Sequence, residues 1–159
     1  MTRYELGTAL FKDEERPIEA ISGTLLPAEY KLEINDAIRM VSLLSVSSPS
    51  IVAQQQFTKN EWRIFMTLLG SCPHYVSYAA LLASITTLSL QDCDKRLWEA
   101  QRQGSYELKR ELKPVHRALS GIRAKLNKLS PSLKISLIRN LGYSLTTSQE
   151  WNAQTAYSK

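Results

Sequence analysis

"LKPVHRALSGIRAKLNKLSPSLKISLIRNLGYSL", residues 112–145, holds two periodicities end to end. From Leu112 to Leu129 the apolar residues Val115, Leu119, Ile122, Leu126 and Leu129 recur at helical spacing. At 100° per residue they fall within a sector of about 80°, the stripe of an amphipathic helix. After "SPS" (130–132) the pattern switches to alternation. It predicts a strand at 134–139, a turn at Asn140–Leu141 and a strand from Gly142 to Thr147, hence a hairpin. The helix face opposite the stripe holds Lys113, Arg117, Ser120, Ala124 and Lys128, with no carboxylate among them. Small residues let a backbone come close to a surface, and cations between them suit phosphates or guanine edges. Gly121 sits mid-helix, where it costs about 1 kcal/mol against alanine. Close approach to a ligand and a tight packing need are the two reasons to keep it. Arg139, a lone cation at the hairpin tip, is suited to a minor groove, where negative potential concentrates.

Working upstream, "TKNEWRIFMTLLG" (58–70) opens with Thr58 as N-cap and Glu61 three residues on, a capping box. Trp62, Phe65, Met66 and Leu69 follow at helical spacing, and Gly70 ends the helix. "SYAALLASI" (77–85) predicts a second helix capped by Ser77, with Pro73 marking the turn between the two. Residues 86–112 read as an irregular connection with a short helix at 94–103 closed by Gly104. Within it Trp98 reads equally as core or as surface. In the N-terminal part, "YELGTALF" (4–11), "PIEAISG" (17–23), "YKLEIN" (30–35) and "IVAQQQF" (51–57) read as strands. "AIRMVSLLSV" (37–46) alternates as a strand does, but the stretch from Pro27 also fits a helix with Tyr30, Ile34, Ala37, Val41 and Leu44 on one face. An antiparallel sheet is the preferred reading.

Charge separates the two halves. Residues 1–60 sum to −2, whereas residues 95–139, with twelve Lys/Arg and three Asp/Glu, sum to +9. A basic block of this kind is the electrostatic footprint of a polyanion binder. No run of about 18 apolar residues is present, so no membrane span is expected. The start "MTRYELG" lacks the basic and apolar blocks of a signal peptide, which points to the cytoplasm. Cys72 and Cys93 lack CxxC or CxxH partners and read as free, partly buried thiols. Two histidines, His74 and His116, come with no nucleophile–base order, glycine-rich phosphate loop or ligand cluster. No enzyme, cofactor, metal or small-molecule ligand is indicated.

Four of these segments, in order, resemble the OmpR/PhoB-type and ToxR-like winged-helix DNA-binding domains. "FTKNEWRIFMTLL" is similar to the family's first helix, "YVSYAALLASI" to its second, and "VHRALSGIRAKL" to its recognition helix, with Leu119, Ile122, Arg123 and Leu126 at the core positions. "LIRNLGYSL" resembles the wing, with Asn140 where a glycine is usual. The resemblance covers roughly 57–147. It implies an α+β winged helix-turn-helix, a three-helix core with a C-terminal hairpin wing, preceded by a small antiparallel sheet. The implied organisation is 1–57 as N-terminal extension and sheet, 58–147 as the DNA-binding domain and 148–159 as a polar tail.

The implied function is sequence-specific transcriptional regulation in a bacterium. Helix 113–129 would lie in the major groove of double-stranded DNA and wing 134–147 at the minor groove. Lys113, Arg117, Ser120 and Gly121 are then expected at the major groove, Lys125 and Lys128 on phosphates, and Arg139 in the minor groove. A homodimer on promoter DNA and a contact to RNA polymerase through 86–112 are the implied protein partners. A membrane anchor enters only if the native chain continues past Lys159. The alternative is a winged-helix module that binds protein and not DNA. It would need exposed apolar groups on the outer face of helix 113–129.

Overall fold

The computed structural model describes residues 26–48 and 50–147. The strands expected at 4–11 and 17–23, and the polar tail, lie outside the described residues. The architecture is α+β with antiparallel sheets. The order is β1 (Tyr30–Asn35), β2 (Met40–Ser45), β3 (Ile51–Gln56), α1 (Lys59–Ser71), β4 (Val76–Ser77), α2 (Tyr78–Ile85), α3 (Leu90–Gln103), α4 (Ser105–Leu129), β5 (Leu133–Ile138) and β6 (Gly142–Thr147). Among the described residues no helix is long and apolar enough to cross a membrane.

The first sheet has the order β1-β2-β3, each neighbour antiparallel. The open choice at 27–44 therefore resolves to strands. Leu32 is buried in β1 while Lys31 and Glu33 are exposed, the alternation of a half-covered strand. The turn between β1 and β2 is closed by Arg39 in a left-handed conformation, φ 53°. Two bonds to Phe57 hold it there. Arg39 Nε donates to the Phe57 carbonyl at 3.1 Å, and the Phe57 N–H donates to the Arg39 carbonyl at 2.8 Å.

The described residues form two compact units. One comprises 26–58, 125–134 and 146–147, and the other 59–124 and 135–145, so α4, β5 and β6 each contribute to both. In the first, Leu32, Val41, Leu43, Phe57, Leu126 and Leu129 are buried. In the second, α1 buries Trp62, Ile64, Phe65, Leu68 and Leu69. Met66, expected in that set, is only half-buried. α2 packs against both α1 and α3. Its N-cap is Ser77, whose Oγ accepts from the Ala80 N–H at 3.1 Å, as the sequence predicts. Cys72 and Cys93 are free and buried.

The connection at 86–112 differs from its sequence reading. It is helical almost throughout: the short helix expected at 94–103 starts four residues earlier, at Leu90, and the next runs on from Ser105. α3 starts at Leu90, capped by the Ser89 hydroxyl, which accepts from the Asp92 N–H at 3.0 Å. Cys93, Leu97 and Ala100 form its buried side at spacings of four and three. Gly104 ends it at φ 128°, and α4 begins at once, seven residues earlier than Leu112. Pro114 lacks an N–H and disfavours helix at the preceding residue. Here the helix runs through it. Leu112, one turn before Val115, is buried, and Leu108 is half-buried. The apolar stripe thus continues upstream and holds both sides of the proline.

β5 and β6 form the predicted hairpin, linked by Arg139, Asn140 and Leu141. Asn140 has φ 67°, the left-handed backbone that glycine adopts freely and asparagine tolerates best among the others. The sheet order is β4-β6-β5. β4 pairs antiparallel with β6, Val76 opposite Tyr143 and Ser77 opposite Gly142. A Cβ on Gly142 would strike the Val76 carbonyl oxygen. A backbone atom cannot swing away as a side-chain end can. Gly142→Ala should therefore cost at least about 2 kcal/mol in urea denaturation. Gly70→Ala is the control. It lies in α1 with nothing within 4 Å of the added carbon, and should stabilise by up to about 1 kcal/mol.

Candidate nucleic-acid interface

In the unit 59–124 and 135–145, α4 keeps a clean division of faces. Val115, Leu119 and Ile122 have no exposure at all. Lys113, Arg117, Ser120 and Ala124 are exposed on the other side. Among the described residues, two ion pairs of the basic block lie elsewhere: Arg96 Nε to Glu111 Oε2 at 3.5 Å, and Arg110 Nη1 to Glu107 Oε2 at 3.8 Å. Among the described residues no carboxylate pairs with Lys113 or Arg117. The earlier start of α4 lengthens this face by two turns. Lys109 precedes Lys113 by four residues and is exposed, and Tyr106, seven before Lys113, is 74% exposed. Sequence reading missed both because it began the helix at Leu112. The signal was present in Leu108, Leu112 and Val115, which continue the stripe upstream.

The hairpin is docked on the same helix by a cation. The Arg123 guanidinium lies 5.5 Å from the centroid of the Tyr143 ring, and its Nη2 donates to the Ile135 carbonyl at 3.5 Å. Tyr143 is buried and meets Tyr78 edge-on at 5.8 Å. Cation–π contacts of this kind contribute about 0.5–1 kcal/mol or more when partly desolvated. Arg123 thus orients the hairpin, a role that its helical position alone does not announce. Arg139 lies in the hairpin turn, exposed, and among the described residues it has no carboxylate partner.

Gly121 and Lys125, both expected at the interface, each lie against another part of the fold. Gly121 is half-buried, and a Cβ there would land on Glu61 Oε2. Glu61 itself is buried, so the missing side chain of Gly121 makes room for a carboxyl of α1 and not for a groove. This is the packing alternative of the two that the sequence left open. Lys125, in the other unit, is half-buried with its Nζ 5.4 Å from the Phe57 ring centroid. Its ammonium lies over an aromatic face. Lys128, in that same unit, is exposed, and no ion pair engages it among the described residues. Trp98 of α3 is 60% exposed, with the Arg102 guanidinium 5.0 Å from its ring centroid. It is therefore surface, not core. No group of three His, Cys, Asp or Glu is arranged to hold a metal ion among the described residues.

No protein-family model matches this chain, and no curated protein matches it. Among solved structures it is similar to the DNA-binding domain of the response regulator AdeR, crystallised in complex with an intercistronic region. The identity is 14% and the TM-score 0.44, over 77% of this chain and 99% of that one.

His116 is exposed on the flank of α4, and partial desolvation, with the positive charge of Arg123 second, lowers its pKa below the ordinary 6.5. The unfolded chain then binds more protons there than the folded one as pH falls through 6.5. The stability that the neutral ring permits is present above that value and is lost as pH drops through the folded pKa. His116→Gln should flatten the fall in melting temperature on acidification below pH 6.5 and leave it unchanged at pH 8, as read by circular dichroism melts.

Proposed function

We propose that the chain is a double-stranded DNA-binding transcriptional regulator of winged helix-turn-helix type. The observation that carries this reading is a pair of basic elements, joined by one clamp, whose exposed cations Lys113, Arg117 and Arg139 meet no carboxylate among the described residues. Lys113 and Arg117 stand exposed on α4 with no carboxylate between them. The hairpin with Arg139 at its turn is tied to the same helix through Arg123. Cations left without partners on adjoining elements suit a ligand with periodic negative charge. In this reading Lys113, Arg117 and Ser120 of α4 enter the major groove and Arg139 reaches the neighbouring minor groove. Lys128 meets a phosphate, and Lys125 and Gly121 have no direct part. The outer face of α4 supports DNA over a protein ligand, because it carries cations where a protein-binding module would carry apolar groups.

A second surface accompanies it. Trp98 and Leu90 of α3 are exposed large apolar side chains, and a protein partner is the reading that fits them, RNA polymerase being the partner implied by the resemblance. The buried residues Cys93, Leu97 and Ala100 make α3 part of the core, so single exposed positions are the tool to separate contact from fold. Trp98→Ala should leave DNA affinity and melting temperature unchanged and lower transcriptional output. A regulator of this class is expected to work as a homodimer, since one helix reads few base pairs and two half-sites supply the rest of the specificity.

Salt titration tests the charge argument. If about six phosphates are neutralised, log K should fall against log salt with a slope near −5. Arg117→Ala should cost about 1–3 kcal/mol and relax preference at one position per half-site. Arg139→Ala should weaken binding most on A·T-rich flanks, because the minor groove is read by width and by A·T against G·C. Both variants should keep the wild-type melting temperature within a few degrees, as their side chains are exposed. Quantitative gel shifts on a selected high-affinity site read all three. A slope near zero would remove the DNA reading.

A further inference from the structure

We propose that Tyr106 and Lys109, in the two turns that open α4, hold the sugar–phosphate strand bordering the groove that Lys113 and Arg117 enter. The inference rests on the DNA reading above. It adds a backbone contact upstream of 115–126, the stretch that resembles a recognition helix. At 100° per residue Tyr106, Lys109, Lys113, Arg117 and Ser120 fall within a sector of about 80°, and all five are exposed. The opposite side holds Leu108, half-buried, and Leu112, Val115 and Leu119, buried. This stripe crosses Pro114 unbroken, so the polar face crosses it too.

The carboxylates between Ser105 and Ala124 are Glu107 and Glu111 alone. Lys109 stands two residues from each, about 160° away round the helix. Glu111 is met by Arg96 of α3 at 3.5 Å, and Glu107 by Arg110 at 3.8 Å. α3 thus flanks α4 on the side of Glu111, away from Lys109. Lys109 meets no carboxylate among the described residues. Tyr106 is 74% exposed and carries a hydroxyl donor at its tip. Ammonium and phenol are both donors to phosphate oxygens. Ala124 is the one aliphatic side chain of 105–124 on this face, so a protein partner would find little to bury there, whereas a polyanion would find a row of donors.

Length decides what the two residues reach. A helix rises about 1.5 Å per residue, so Lys113 to Ser120 spans about 10 Å, which a major groove about 12 Å wide accommodates. Lys109 lies about 6 Å, and Tyr106 about 10 Å, further along the axis. A rod that meets base edges over its middle turns leaves the curved groove beyond them and crosses the bordering strand. Contacts of that kind set register and orientation and carry no sequence information directly.

The experiment is a salt series of gel-shift titrations with the full chain, on a selected high-affinity site and on a scrambled duplex, joined to phosphate-ethylation interference. Lys109→Ala should make the slope of log K against log salt shallower by about 1 and weaken binding by the same factor on both duplexes. Lys109→Arg should restore the slope. Tyr106→Phe removes only the hydroxyl, and should weaken binding several-fold on both duplexes with the slope unchanged. Ethylation of a phosphate just outside the half-site should hinder the wild-type chain and have no effect on Lys109→Ala. Both side chains are exposed, so the variants should melt within a few degrees of the wild type. A wild-type slope near zero would remove the DNA reading and this inference with it. Steep salt dependence that Lys109→Ala and Tyr106→Phe leave unchanged, at unchanged affinity, overturns this inference alone. So does a loss of transcriptional output with DNA affinity intact, which would make the two residues a protein contact.

Discussion

Gly142 has no Cβ, and so the backbone of β6 can lie against the Val76 carbonyl. β4 is only two residues long, yet this contact lets it add to the hairpin as a third strand. The next residue, Tyr143, is thereby set opposite Val76 and edge-on to Tyr78 at the start of α2. Its ring face is left for Arg123 of α4. A single close approach of two backbones thus fixes where the hairpin stands against α2 and α4. The geometry of any ligand surface made by α4 and the hairpin turn depends on it.

The cations of α4 divide by what they touch. Arg123 spends its charge on Tyr143 and Ile135, Arg110 on Glu107, and Lys125 on Phe57. Lys113, Arg117 and Lys128 touch no carboxylate among the described residues. A count of charge along the sequence treats these groups alike. The structure separates those that hold the fold from those left to the solvent, and only the latter can exchange water for phosphate at little internal cost. The exposed Trp98–Arg102 pair on α3 is a different kind of surface, an aromatic face with a cation over it.

Much of the architecture was legible from periodicity. The stripe from Val115 to Leu129 is buried throughout, because a hydrophobic face of that width has nowhere else to go. The Ser77 cap, the hairpin at 133–147 and the strand at 30–35 follow from local chemistry: a hydroxyl before a helix, a left-handed asparagine in a turn, and alternation along a half-covered strand. Arg139 at the hairpin turn was equally legible. The choice between sheet and helix at 27–44 was not local. It is decided by pairing with β3 and by the bonds between Arg39 and Phe57, eighteen residues apart.

Sequence alone therefore determined the amphipathic helices, the hairpin and the basic block, since each rests on spacing within a few turns or one strand pair. Tertiary structure decided the start of α4, because the burial of Leu112 outweighs the local bias of Pro114 against helix at the residue before it. It decided the meaning of Gly121, whose neighbour Glu61 lies sixty residues away in the chain. It also decided which cations touch another group and which meet no carboxylate among the described residues. Partners for charged groups come from other elements, and spacing along one helix carries no information about what stands across from it.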